Sequence, residues 1–161
     1  QPKPIRIGEG FRSEDGAVLS LRLQDDARHL DLAFGQPLEV TAELELAAGM
    51  ADAACIIDIL DQRGVPLTGQ RIRLPDARGL ATRLQLQVVF RIELAQGIYR
   101  LRARLVQAPT RHLHHRRVLC RYESDLSCKV IDNSIERFSG LFALPADISI
   151  RELTADDHVV D

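Results

Sequence analysis

The sequence predicts an all-β chain folded as an antiparallel β-sandwich. Apolar residues recur at every second position through several long runs, the period of a strand with one buried face. Turn-forming clusters separate those runs at regular intervals, and no helical period is sustained. With 161 residues, 45% of them hydrophobic and 27% charged, the chain is sized for one packed domain.

Taken in order, a first strand is expected near residues 5–11, closed by the turn signal Ser13-Glu14-Asp15-Gly16. Phe34-Gly35-Gln36-Pro37 precedes Leu38–Leu46, where Leu38, Val40, Ala42, Leu44 and Leu46 alternate with polar positions. The stretch Ala47–Ala54 is rich in alanine but interrupted by Gly49, and reads as a loop with at most one helical turn. Asp61-Gln62-Arg63-Gly64 joins strands at Cys55–Leu60 and Val65–Leu74 as a hairpin. A further alternating run covers 83–94, and Ala95-Gln96-Gly97 connects it to a strand over 98–106. The last long strand is expected over 117–131.

Composition excludes several functions. The net charge of −2 lacks the basic footprint of a nucleic-acid binder. No stretch approaches the roughly 18 apolar residues of a membrane span, and no basic-then-apolar leader is visible. Cys55, Cys120 and Cys128 are odd in number and lack Cys-x-x-Cys spacing, which suits reduced thiols in a cytosolic protein. The sequence carries no Gly-x-Ser-x-Gly, His-Glu-x-x-His or evident carboxylate pair in a cleft, so no enzyme is expected. Residues 1–4, Gln-Pro-Lys-Pro, read as a linker remnant, 5–154 as the sandwich, and 155–161 as an acidic tail.

Four motifs, in order, carry a family resemblance. They are Phe34-Gly35-Gln36-Pro37-Leu38; Ile57-x-Ile59-x-Asp61-x-x-Gly64-Val65-Pro66-Leu67-x-Gly69; Leu94-Ala95-Gln96-Gly97-Ile98-Tyr99-Arg100-Leu101; and Cys128-Lys129-Val130 followed by Gly140-Leu141-Phe142-Ala143-Leu144-Pro145. Together they resemble the C-terminal carbohydrate-binding domain of Wzt-type proteins, the ATP-binding subunits of bacterial O-antigen polysaccharide exporters. Two departures stand out: Cys128 occupies a position usually aromatic, and no Asn or Thr follows Gly69. The resemblance implies an immunoglobulin-like sandwich that recognises the modified, non-reducing end of a cytoplasmic O-antigen polysaccharide. It implies a homodimer exchanging a C-terminal strand, here near 147–153. It also implies a location at the inner-membrane face, with an N-terminal ATP-binding domain and a membrane subunit as partners. No Gly-x-x-x-x-Gly-Lys-(Ser/Thr) is present, so nucleotide phosphates are not held that way by this chain.

Two polar faces compete for the sugar. If the 38–46 and 83–94 strands pair, Glu39, Glu43 and Glu45 lie against Arg83 and Arg91. Such cross-strand pairs contribute about 0.2–1 kcal/mol each and need no ligand. On the 98–106 strand, however, Arg100, Arg102 and Arg104 fall on one side, roughly 7 Å apart. Asp58 is the one acid expected beside them on the adjacent strand, and Lys129 adds another cation. The row suits an acidic glycan bearing carboxylate or phosphate. The candidate carbohydrate-binding residues are therefore Asp58, Arg100, Arg102, Arg104, Arg121, Tyr122 and Lys129, with Tyr122 the candidate for stacking on sugar against the plainer reading of an ordinary sheet-surface tyrosine. The rival reading is a structural or interaction sandwich whose arginine face meets an acidic partner. Tyr99 reads as core, its hydroxyl bonded at a strand corner. His112 and His114 share a face if extended, but neighbouring arginines and the lack of acids disfavour a metal. No cofactor is expected.

Overall fold

The computed structural model describes residues 10–107, 117–131, 140, 147 and 149–151. Among these residues nine strands form: β1 (Phe11–Arg12), β2 (Gly16–Leu23), β3 (His29–Leu32), β4 (Pro37–Leu46), β5 (Ala53–Leu60), β6 (Pro66–Arg73), β7 (Thr82–Arg91), β8 (Gly97–Gln107) and β9 (Arg117–Val130). A 3₁₀ turn at Gln24–Asp26 follows β2. Among the described residues no helix is long and apolar enough to cross a membrane.

The strands form two sheets. One has the order β1-β9-β8-β5-β6, with β3 joined in parallel to β9; the other is β2-β4-β7. The other pairings are antiparallel. Between the sheets lies one apolar core to which the alternating faces contribute Leu38, Val40 and Leu44 from β4, Cys55, Ile57 and Ile59 from β5, and Leu101, Ala103 and Leu105 from β8. Burying one such leucine or isoleucine contributes about 1.5–3 kcal/mol, so alternation of this length fixes which face turns inward. The expected β-sandwich is thus the observed fold.

Several local expectations are refined. Residues 47–52 form turns without a helix, because Gly49 and Asp52 take left-handed backbone angles of φ 79° and 57°. β7 ends at Arg91, while Ile92 and Leu94 stay buried beyond it. The first strand expected at 5–11 lies largely outside the described residues, where only β1 is seen. Two strands had no clear sequence signal. β2 carries a register shift between Val18 and Ser20, which breaks its period of two. β3 is four residues long and is held by its pairing with β9.

The two sheets are not evenly spaced. They meet where β2 packs on β8 and β9. There a Cβ on Gly16 would lie 2.5 Å from Leu105 Cδ2, and the Val18 amide donates to Cys120 Sγ at 3.3 Å. On the opposite side β6 and β7 are, among the described residues, the free edges of their sheets, and the sandwich opens between them. The described part of the molecule is a wedge.

Candidate functional site

The outer face of the larger sheet holds the arginines in the register the alternation requires. Arg100 lies opposite Leu60 on β5 and Ser127 on β9; Arg102 lies between Asp58 and Glu123; Arg104 lies between Ile56 and Arg121. Asp58 is 4% exposed and Arg102 7% exposed, so the middle of the row is withdrawn from solvent. Asp58 Oδ2 accepts from Arg102 Nε and Nη2, both at 3.0 Å, and from Arg104 Nε at 2.7 Å. Its Oδ1 accepts from Arg104 Nη2 at 3.1 Å. Room for this carboxylate comes from Gly69 on β6, where a Cβ would sit 2.6 Å from Ile57 O and 3.2 Å from Asp58 Oδ1.

These contacts correct the picture of an open arginine row. A buried carboxylate within the chain already engages two of the three guanidiniums, and those charge-assisted bonds are the strong kind. Arg121, expected as a further open cation, donates from Nε to Glu123, an acid one pleat along β9 that the sequence reading left unweighed. Tyr122 lies opposite Ala103 on the core-facing side, partly buried against the core. Because neighbours along a strand point to opposite faces, it cannot stack on a sugar held by Arg121. Tyr99 is where the sequence placed it, in the core, its hydroxyl donating to Ala95 O at 2.6 Å.

Open polar groups gather instead at one end of this face. Arg100 is half-buried, makes no ion pair among the described residues, and has a buried Nε without a hydrogen-bond partner. Next to it across the sheet come Ser127 and then His29; one step further, Ile98, Lys129 and Asp31 form the adjacent row. Ser127 Oγ lies 2.7 Å from His29 Nδ1, and His29 Nε2 lies 2.9 Å from Asp31 Oδ1. An ionised carboxylate only accepts, so in neutral His29 Nε2 carries the proton and Nδ1 accepts from the serine hydroxyl. His29 and Asp31 escaped sequence reasoning because β3 itself was unrecognised; only its pairing with β9 brings them beside Lys129. The surface thus offers an acceptor, a hydroxyl, an imidazole and two cations side by side.

Other expected features fall elsewhere. On the smaller sheet Glu45 pairs with Arg83 at 3.6 Å, Glu43 reaches Arg22 on β2 at 3.8 Å, and Arg91 stands opposite Pro37. His112 and His114 lie outside the described residues, and among the described residues no cluster of three metal-binding side chains exists. Of the segment 147–153 expected to exchange between protomers, 147 and 149–151 are described, without strand pairing; the rest lies outside.

No family model matches the chain, and no curated protein does either. Among solved structures, a Niemann-Pick type C2 protein from Japanese carpenter ant is 9% identical, with a TM-score of 0.47 over 76% of this chain and 98% of that one. The C-terminal domain of Wzt is 14% identical, with a TM-score of 0.62 over 89% of this chain and 88% of that one. At that identity the likeness speaks to architecture, and it extends through nearly the whole of both chains. The chain has the fold of the C-terminal domain of Wzt.

Proposed function

We propose that this chain is a non-catalytic carbohydrate-binding module that recognises the modified non-reducing end of an O-antigen polysaccharide for export by an ABC transporter. In this reading it works in the cytoplasm at the inner-membrane face, as a homodimer linked to an ATP-binding domain and a membrane subunit. The observation that carries the proposal is the correspondence with the Wzt C-terminal domain over 89% of the chain. The polar end of the larger sheet supports it. Arg100 and Lys129 supply cations for a carboxylate or phosphate, while Ser127, His29 and Asp31 supply the mixed donors and acceptors that sugar hydroxyls require. Asp58, Arg102 and Arg104 then brace the sheet beneath Arg100 rather than contact the glycan.

Such a surface exchanges water for hydroxyl groups at modest net gain, so affinity is expected to be low. Titrating defined O-polysaccharides into the isotopically labelled chain tests the proposal. The expected result is amide shifts centred on residues 29–31, 98–100 and 127–129, with a terminally acidic glycan bound more tightly than its neutral counterpart. Lys129→Ala is expected to weaken the acidic ligand about tenfold, the loss of one hydrogen bond to a charged group. Absence of shifts with every terminus at millimolar ligand would overturn the proposal.

A further inference from the structure

The wide side of the wedge is a cavity of about 700 Å³, within the range of small-molecule sites. Its floor is Ile59, Phe90, Ile92 and Leu94, all buried. Its walls are Leu67 and Ile72 from β6 and Val88 from β7. These three pack against the core yet stay partly exposed, although Val88 pairs with Val40 and Ile72 with Cys55, both fully buried. Apolar side chains on the inner faces of two sheets are ordinarily covered by the opposite sheet. Here the sheets have diverged, and among the described residues no strand closes the gap, β6 and β7 both being edges.

A second feature separates this mouth from an accident of packing. The inner face of β6 also carries Thr68 and Gln70, opposite Ile59 and Ile57 of the core. Both line the cavity and both are exposed. Polar side chains on the core side of a strand disfavour dry closure, since their hydrogen-bonding groups would lose water without replacement. Arg91, an outward-facing position at the end of β7, lines the same rim from the strand edge and makes no ion pair among the described residues; Glu93 lies near it, so the rim holds one cation and not a strongly positive funnel. The lining runs without a break from Gln87 to Leu94 and takes in inward- and outward-facing residues alike, so the cavity is a trough that follows the edge of β7.

We infer that this trough binds a single-chain amphiphile of the long-chain carboxylate class. Its hydrocarbon lies along Val88, Ile72 and Phe90 between the sheets. Its head group meets Arg91, the Thr68 hydroxyl and the Gln70 amide at the mouth. The site is independent of the polar sheet end described above and involves no covalent step.

The test is a titration of the full 161-residue chain with decanoate, dodecanoate and tetradecanoate, each below its micelle concentration, followed by methyl NMR. Shifts are expected at Leu67, Ile72 and Val88, with Kd tightening about fourfold for each added methylene. Ile72→Phe, which fills the trough, should weaken dodecanoate tenfold or more; Val88→Phe serves if that variant does not fold. Arg91→Gln should weaken dodecanoate several-fold and leave dodecanol unchanged. The inference is overturned if the cavity methyls do not move or if affinity ignores chain length. It is equally overturned if a filling variant with an unchanged fold binds as before, or if a second copy closes the mouth and dodecanoate cannot displace it.

Discussion

Asp58 faces two guanidiniums from a position where almost no water reaches it. Replacing it with asparagine keeps the shape and removes the charge, leaving Arg102 buried without a counter-ion. Breaking a buried pair in this way costs about 3–5 kcal/mol. Asp58→Asn is therefore expected to lower Tm by roughly 6–20 °C for a domain of this size, read by circular dichroism. A variant melting within a degree of the parent would show the pair to be hydrated. The cysteines are governed by burial too. Burial first, then neighbouring Cys120 and Asp58, push the Cys55 thiol up to about 12. Burial alone pushes Cys128 up to about 11. Cys120 is also raised by burial, against the opposing bond from the Val18 amide and the Arg12 charge. Because the thiolate is the reactive form, a disulfide reagent at pH 8 should label almost none of these three free thiols in the native chain and all of them after denaturation. Fast native labelling at Cys55 would contradict its burial.

The β5–β6 hairpin shows how an element can be written in local residues. Asp61 Oδ1 accepts from the Arg63 amide at 2.8 Å and the Val65 amide at 2.9 Å, while Gly64 takes φ 84°. The Val65 bond chiefly, with the Arg63 contacts behind it and desolvation opposing, holds the Asp61 carboxyl below its ordinary 3.8. A carboxylate depressed on folding stabilises the native state above its unfolded pKa, and that contribution disappears as pH falls through the lowered folded value. The parent should therefore melt above Asp61→Asn by a constant margin from pH 7 to about 5, and the margin should shrink below about pH 4. A margin independent of pH would remove the charge from the explanation. This hairpin was legible because its determinants lie within five residues. β4 and β7 were legible because their inward–outward alternation is unbroken over ten residues, and β8 because Tyr99, Leu101, Ala103 and Leu105 alternate with Arg100, Arg102 and Arg104. β2 and β3 were not, since a bulge interrupts one and the other owes its strand conformation to a partner 98 residues away.

At the scale of the molecule, the wedge depends on a close approach at one side. Gly16→Ala places a methyl group 2.5 Å from Leu105 Cδ2. Overpacking of this kind costs about 1–3 kcal/mol, and a drop in Tm of roughly 2–12 °C is expected by calorimetry. An unchanged Tm would mean that the sheets separate freely there. The sequence by itself determined the all-β class, the inward faces of the long strands, the core position of Tyr99 and the arginine register, because side-chain period and turn chemistry are local properties. Which charges neutralise one another, where His29 and Asp31 come to rest, and on which side the two sheets part were decided by the tertiary structure alone. Those outcomes depend on the pairing of distant strands and on the angle between sheets, and neither is encoded in any single stretch of chain.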